Sequence, residues 1–478
     1  MNAVSIRSVK VSLVRRPWTW AVLAGVVIGG LAVKSIGVSV GIIAVVVVSG
    51  LAIAVRERIL IVAAAWEAVQ NVLVPFLFGR LPQVPAAVWT GLLGTSEFLT
   101  IAFIFGSLYR DAVSLHVRIQ SFPRSQGLFI YATCAVVFAV ARRDGATLFA
   151  LLSDIRMLLV PPLFFVAGRM FTRGNQNRLR LLLRVAVTIS IIGGLGAILD
   201  SKLPSSLWVW WGLGRYWIVV KHVPITSVAF GLPSNMFETF GTHVVRRAIS
   251  IYGDPLAAGY SLGVGVICLM LLYQREIRIG QLSRRRSMFF ACGLFVLLIG
   301  IFVTYTRAGL LMVLVAAMVL MAVDREMRRS VSKTVIAVGV ALTLVIFGKV
   351  IRDTFNGRNG NALAHLNALN SLPTLFTHPL GFGLPAGLSS PEGFLWMWWT
   401  IGAVPLVAFL AWMVSTAINA ARTGQSGLLA LCLALLATTP VSIEILGDTP
   451  CGLAWMVMGG LSALMFDRSR GVAEAHDS

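Results

Sequence analysis

The amino-acid sequence predicts an all-α, polytopic integral membrane protein: one domain over residues 1–478, built as a helical bundle of about fourteen transmembrane helices. Three observations predict it. Hydrophobic residues make up 57% of the chain. Charged residues make up only 12%, where a soluble chain has about 25%, and with a mean hydropathy of +0.85 there is too little polar surface to face water. The basic residues come in short clusters between apolar runs too long for a soluble core.

The runs fall near 18–33, 36–55, 59–79, 88–107, 127–141, 148–168, 181–198, 256–273, 287–304, 308–323, 333–350, 394–417, 427–445 and 450–466. Each is long enough, or nearly so, to cross the hydrocarbon. The 59–79 run carries Glu67, Gln70 and Asn71, and the 127–141 run is short for a span. Arg7, Lys10, Arg15 and Arg16 precede the first run like the charged region of a signal peptide. No A-x-A-like cleavage site follows, so the run reads as a retained first helix. Cys134, Cys268, Cys292, Cys432 and Cys451 all lie in apolar segments without zinc or disulfide spacing, and read as small packing residues.

The net charge of +21 could suggest nucleic acid, but its distribution fits a bilayer instead. With the N-terminus on the cytoplasmic side and fourteen crossings, the cytoplasmic segments hold 26 Lys/Arg against 8 Asp/Glu, and the outer segments 13 against 7. Arg284 to Arg286, the Arg325/Arg328/Arg329/Lys333 group and the Arg169 to Arg184 stretch all fall inside, as the positive-inside rule requires. Both termini are then cytoplasmic. Arg156, Glu67, Glu97, Asp154 and Glu444 lie within spans, and Arg156 and Asp154 are close enough in sequence to pair.

Two connections, 199–255 and 351–393, are far longer than the rest, and this orientation puts both on the outer face. The first holds Trp208, Trp210, Trp211, Tyr216 and Trp217 with Arg215 and Lys221 close by. It reads as a segment lying at the headgroup level, or as a surface on which a sugar ring stacks. The chain shows no internal repeat, which counts against the inverted repeats of many transporters.

The outer face keeps arginines that the positive-inside rule does not explain: Arg142, Arg143, Arg246, Arg247, Arg307, Arg352 and Arg358. A guanidinium is a rigid fork of donors suited to phosphate, and it keeps its charge at ordinary pH. Several converging there suit a lipid-linked phosphate or pyrophosphate; the alternative is snorkelling to headgroups. Snorkelling explains Arg307 poorly, because it sits in the tight turn Tyr305-Thr306-Arg307-Ala308-Gly309. In Gly253-Asp254-Pro255, Asp254 suits a helix cap and Pro255 the first helical position, with an active-site role for Asp254 as the alternative. Gly259 and Gly263 form a GxxxG suited to close helix packing. Farther on, His378-Pro379-Leu380-Gly381-Phe382-Gly383 is a turn with no strand before it, so not a dinucleotide fingerprint. Glu392 opens the next helix, as a cap or as a general base at the membrane surface.

Taken in order, these segments resemble the O-antigen ligase and polysaccharide polymerase superfamily of bacterial membrane glycosyltransferases. The matching pieces are Arg247 to Pro255, the Thr-Tyr-Thr-Arg-Ala-Gly-Leu-Leu element from Thr304 to Leu311, and the Pro-Leu-Gly-x-Gly loop from Pro379 to a helix with Gly402 and Pro405. They span roughly residues 245–415. The resemblance implies a glycosyltransferase type C-like fold with its two long loops in the periplasm, in the inner membrane. It implies metal-independent, cofactor-free transfer of a glycan from an undecaprenyl-pyrophosphate carrier to an acceptor hydroxyl at that periplasmic face. Arg247 and Arg307 would hold the pyrophosphate, with Arg246, Arg142 and Arg143 as further candidates. The ligase branch carries a histidine where this chain has Pro391-Glu392-Gly393, and an acid there looks more like the exopolysaccharide polymerases. Glu392 is then the first candidate base and His378 the second. The implied partners are the lipid-linked glycan, membrane lipids, and a chain-length regulator and flippase of the same pathway; nucleic acid is not among them. A ligase with a lipid A core acceptor and a flippase for the same glycan are the alternatives.

Overall fold

The computed structural model describes residues 58–81, 89, 92–113, 126–141, 148–173, 175–221, 228–240, 243–280, 282–330, 369–382, 393–439 and 451–476. Helices dominate: α1 (Arg58–Arg80), α2 (Thr95–Val113), α3 (Gln126–Ala141), α4 (Leu148–Thr172) and α5 (Gln176–Asp200) come first. Two short helices, α6 (Ser205–Trp210) and α7 (Leu213–Val219), precede two hairpins, β1 (Val228–Ala229) with β2 (Leu232–Pro233) and β3 (Phe237–Phe240) with β4 (His243–Arg246). Then come α8 (Pro255–Arg278), α9 (Arg284–Val303), α10 (Arg307–Val323), the short α11 (Arg325–Ser330) and α12 (Leu372–Thr377). The chain closes with α13 (Phe394–Ile401), α14 (Ala403–Arg422), α15 (Ser426–Thr438) and α16 (Cys451–His476).

Six helices are long and apolar enough to cross a membrane: α1, α4 over Ile155–Thr172, α5, α8, α9 and α14. The molecule is a helical protein of membrane character, with further apolar helices of shorter length, including α3, α10 and α15. The predicted runs at 18–33, 36–55 and 333–350 lie outside the described residues.

Helix α8 is the centre of the bundle. Its apolar stretch is 83% buried, against 22% for α9, so α8 is enclosed on all sides and α9 presents most of its surface outward. Around α8 pack α5, α9 and α10. The α8–α10 crossing is set by glycine: a Cβ on Gly259 would lie 2.2 Å from the Thr306 Cβ, and one on Gly309 2.5 Å from the Gly259 carbonyl. The GxxxG therefore acts as read, by letting two backbones touch. On the other side α4 packs against α16 in the same way, through Gly168 and Gly459.

The start of α8 also follows the sequence reading. Asp254 is its N-cap, with Oδ1 accepting from the Leu256 N–H at 2.8 Å and the Ala257 N–H at 3.0 Å, and Pro255 opens the first turn. One other expectation needs correction. The run 394–417 is not one helix: it breaks at Gly402, which has φ +87°, between α13 and α14. The break comes from outside, because the Ala403 N–H donates to the Pro379 carbonyl at 2.8 Å and a Cβ on Gly402 would meet the Leu380 carbonyl carbon at 2.8 Å. Arg156 lies 3.6 Å from the Glu97 carboxylate of α2, a partner from another helix. The expected pairing of Arg156 with Asp154 falls on a side chain outside the described residues.

The segment 199–255 is folded and not a plain loop, and its hairpins are an addition to the all-α prediction. Its aromatic residues pack inward on α1. Trp211 Nε1 donates to the Val72 carbonyl at 2.8 Å, Trp208 and Tyr216 are buried, and Trp210, at 64% exposed, and Phe230, at 71%, stand clear.

Candidate functional site

The β3–β4 hairpin delivers Arg246 and Arg247 to the N-terminus of α8, and the turn from α9 to α10 runs alongside. Within the hairpin Glu238 pairs with Val245 and Phe237 with Arg246. The Arg247 N–H extends the contact by donating to the Met236 carbonyl at 2.9 Å. The α9–α10 turn is sharp: Tyr305 has φ +51°, in the left-handed region that a bulky residue seldom occupies. That conformation lets α10 begin at Arg307 immediately after the turn.

Arg247 is buried, at 5% exposure. Its Nε donates to the Thr304 carbonyl at 2.9 Å, Nη1 to the Asn235 carbonyl at 3.1 Å and Nη2 to the Thr306 hydroxyl at 3.1 Å. These acceptors are all neutral. Burial pulls the guanidinium below the ordinary arginine value, Asp254 and Glu238 pull it back up, and Arg307 lowers it again. Asp254 is drawn into the same group, since its Oδ2 accepts from the Asn235 amide at 2.8 Å.

Arg307 is the more accessible of the two. Its Nη2 donates to Glu238 Oε1 at 2.7 Å, with the arginine side chain 29% exposed and the glutamate 5%. A buried carboxylate thus holds one edge of a guanidinium whose remainder reaches the surface. Two arginines from segments far apart in sequence share one neighbourhood, one fixed in depth and one presented outward, an arrangement that can bind an anionic group.

Arg246 has a different task here. Its Nη2 donates to Asp200 Oδ1 at 2.8 Å and to the Leu203 carbonyl at 2.9 Å, fastening the hairpin to the end of α5. The same Asp200 carboxylate accepts from Trp208 Nε1 at 2.7 Å and from the N–H groups of Ile249 at 2.6 Å and Ser250 at 3.2 Å. Asp200 therefore organises the whole approach to α8.

His378 is exposed at the end of α12. Its Nδ1 lies 3.0 Å from both the Thr377 hydroxyl and the Thr374 carbonyl, and its ring stacks on Phe382 at 4.5 Å, which in turn meets Trp399 at 4.3 Å. None of these neighbours belongs to the arginine group. Glu392, Arg142, Arg143, Arg352 and Arg358 lie outside the described residues.

Sequence reasoning passed over Asp200, Asn235 and Glu238. Asp200 ends an apolar run and Glu238 stands in Phe237-Glu238-Thr239-Phe240, with no local pattern to mark either; both matter through partners 46 and 69 residues away. Comparison of the chain with protein-family models, with curated proteins and with solved structures finds no match.

Proposed function

We propose that this protein polymerises undecaprenyl-pyrophosphate-linked oligosaccharide repeats into exopolysaccharide or O-antigen, as a multi-pass enzyme of the bacterial inner membrane with about fourteen spans and a periplasmic site. The reading rests on the resemblance of three ordered segments. The observation that supports it best is that two of them meet, with Arg247 bound to Thr304 and Thr306 and Arg307 beginning the next helix.

In the proposed step, the acceptor hydroxyl of one lipid-linked repeat attacks the anomeric carbon of the growing chain's first sugar. A C–O bond forms on one face as the C–O bond to pyrophosphate breaks on the other, so the configuration inverts. The hydroxyl proton passes to a carboxylate or imidazole, Glu392 first and His378 second. Undecaprenyl pyrophosphate leaves with the bonding electrons, and arginine donors already aimed at it stabilise charge that grows in the transition state. Glu238 keeps Arg307 in place for that purpose.

The test is to purify the protein, supply undecaprenyl-pyrophosphate-linked repeats and look for a ladder of lengthened glycans. A ladder supports polymerisation; transfer to lipid A core alone would move the reading to a ligase. A flippase is the second reading, favoured by charge inside the bundle, where Glu97 faces Arg156 and buried Glu67 accepts from the Gly452 N–H at 2.8 Å. Translocation in liposomes without any ladder would decide for it.

A further inference from the structure

At the end of α8 opposite Arg247, roughly 36 Å away along a helix of this length, a cavity of about 300 Å³ opens between the start of α5, the last turns of α8, the start of α15 and the middle of α16. Its wall is apolar, with Leu179, Leu183, Leu271 and Leu464, and its rim carries Arg275 and Arg278. A cavity of this size suits a headgroup and the upper part of a chain.

The charges around it are unequal. Glu276 is held by two arginines at once, Arg180 on Oε1 and Arg286 on Oε2, each at 2.5 Å. Arg278 is committed to Asp324. Arg275 has no such acid: among the described residues its hydrogen bond runs from Nη1 to a neutral acceptor, the Gln176 carbonyl, at 3.2 Å. The rim therefore keeps a cationic fork beside an apolar wall, at the end of a membrane-type helix where phospholipid headgroups lie.

We propose that this cavity binds the phosphodiester headgroup of an anionic phospholipid, with Arg275 as its anion ligand and the leucine wall against the first methylenes of the acyl chains. The occupant is a lipid and not a free phosphate, because a soluble anion would leave the leucine wall uncovered. This site is separate from the arginine group at the other end of α8 and is independent of the proposed glycan transfer.

The test uses the full chain in detergent and native mass spectrometry with phosphatidylglycerol or phosphatidylcholine of equal acyl chains. Phosphatidylglycerol is retained in preference, Arg275→Gln weakens that retention on the order of tenfold, and Arg284→Gln, an exposed arginine outside the cavity, leaves it unchanged. Equal retention of the two lipids, or an undiminished preference in Arg275→Gln, overturns the proposal. Displacement of the lipid by millimolar inorganic phosphate assigns the site to a free anion and overturns it too. Should Arg275→Gln fail to fold, a photoreactive phosphatidylglycerol on the unmodified chain decides: label around Leu179 and Leu464 supports the site, and label confined to other segments overturns it.

Discussion

The Arg247 Nη2 donates to the Thr306 hydroxyl at 3.1 Å, joining the approach to α8 to the approach to α10 across 59 residues of sequence. The hydroxyl passes the connection on, donating to the Pro255 carbonyl at 2.7 Å. One small side chain thus links a buried guanidinium to the first turn of α8. Thr306→Val keeps the shape and removes both bonds, at a cost of about 1–3 kcal/mol for the stranded guanidinium N–H. Its melting temperature in detergent should fall clearly, whereas Thr306→Ser should melt close to the unmodified chain.

Gly259→Ala tests the same junction from the packing side. The added methyl overlaps Thr306, with a Cβ–Cβ distance of 2.2 Å, and α10 must move away from α8 to accept it. Overpacking of this kind costs about 1–3 kcal/mol. The variant should melt lower and, by displacing Thr306, should also lose elongation activity. Normal melting would mean that the crossing is looser than its geometry indicates.

The Asp200–Arg246 pair predicts unequal losses from its two members. Arg246→Met removes one charge, but Asp200→Asn also weakens the acceptor for Trp208 and for two backbone N–H groups. Breaking a buried pair by removing one partner costs about 3–5 kcal/mol. Asp200→Asn should be the more destabilising, and the double variant should lose less than the two single losses added. Equal single effects would mean that the ion pair alone counts.

Much of the frame was legible because apolar length and composition carry it. The runs at 59–79, 181–198 and 256–273 became α1, α5 and α8 with only small shifts at their ends. The Asp254 cap and the Gly259/Gly263 stripe were readable because caps and close packing depend on residues near in sequence. The β3–β4 hairpin was not, since four-residue strands such as Phe-Glu-Thr-Phe are too short to show alternation. The break at Gly402 was hidden inside a continuous apolar run, because its cause is a carbonyl from Pro379. The roles of Asp200 and Glu238 belong to the tertiary fold alone. Arg247 and Arg307 could be picked out because cations on the face expected to be the outer one run against the charge rule, but that they meet is known only from the folded chain.

Asp324 gives the fold a predictable acid response. Burial alone would raise its carboxyl, but the Met327 N–H, the Gln274 amide and the Arg278 guanidinium outweigh it and hold the group below its ordinary value of 3.8. A carboxyl depressed by folding contributes stability that is complete above the unfolded value and is lost as pH falls through the folded one. Melting temperature should therefore drop as pH is lowered from about 4, and Asp324→Asn should lose stability at neutral pH while showing a shallower acid decline. An unchanged acid slope in Asp324→Asn would remove this carboxylate as a cause.

Arg307 and Glu238 separate the role of charge from that of geometry. Arg307→Lys keeps the positive charge, but a single ammonium cannot bond Glu238 on one edge and offer a second edge to a phosphate. If donors fixed in advance stabilise the leaving pyrophosphate, elongation in the ladder assay should fall by about 100- to 1000-fold, the loss typical of one such donor. Glu238→Gln keeps the arginine and weakens what holds it, so its rate should fall less than that of Arg307→Lys. Full elongation in Arg307→Lys would rule out a fork-shaped contact with the pyrophosphate. An equal fall in both variants would mean that the ion pair, and not the exposed edge of the guanidinium, is what the reaction needs.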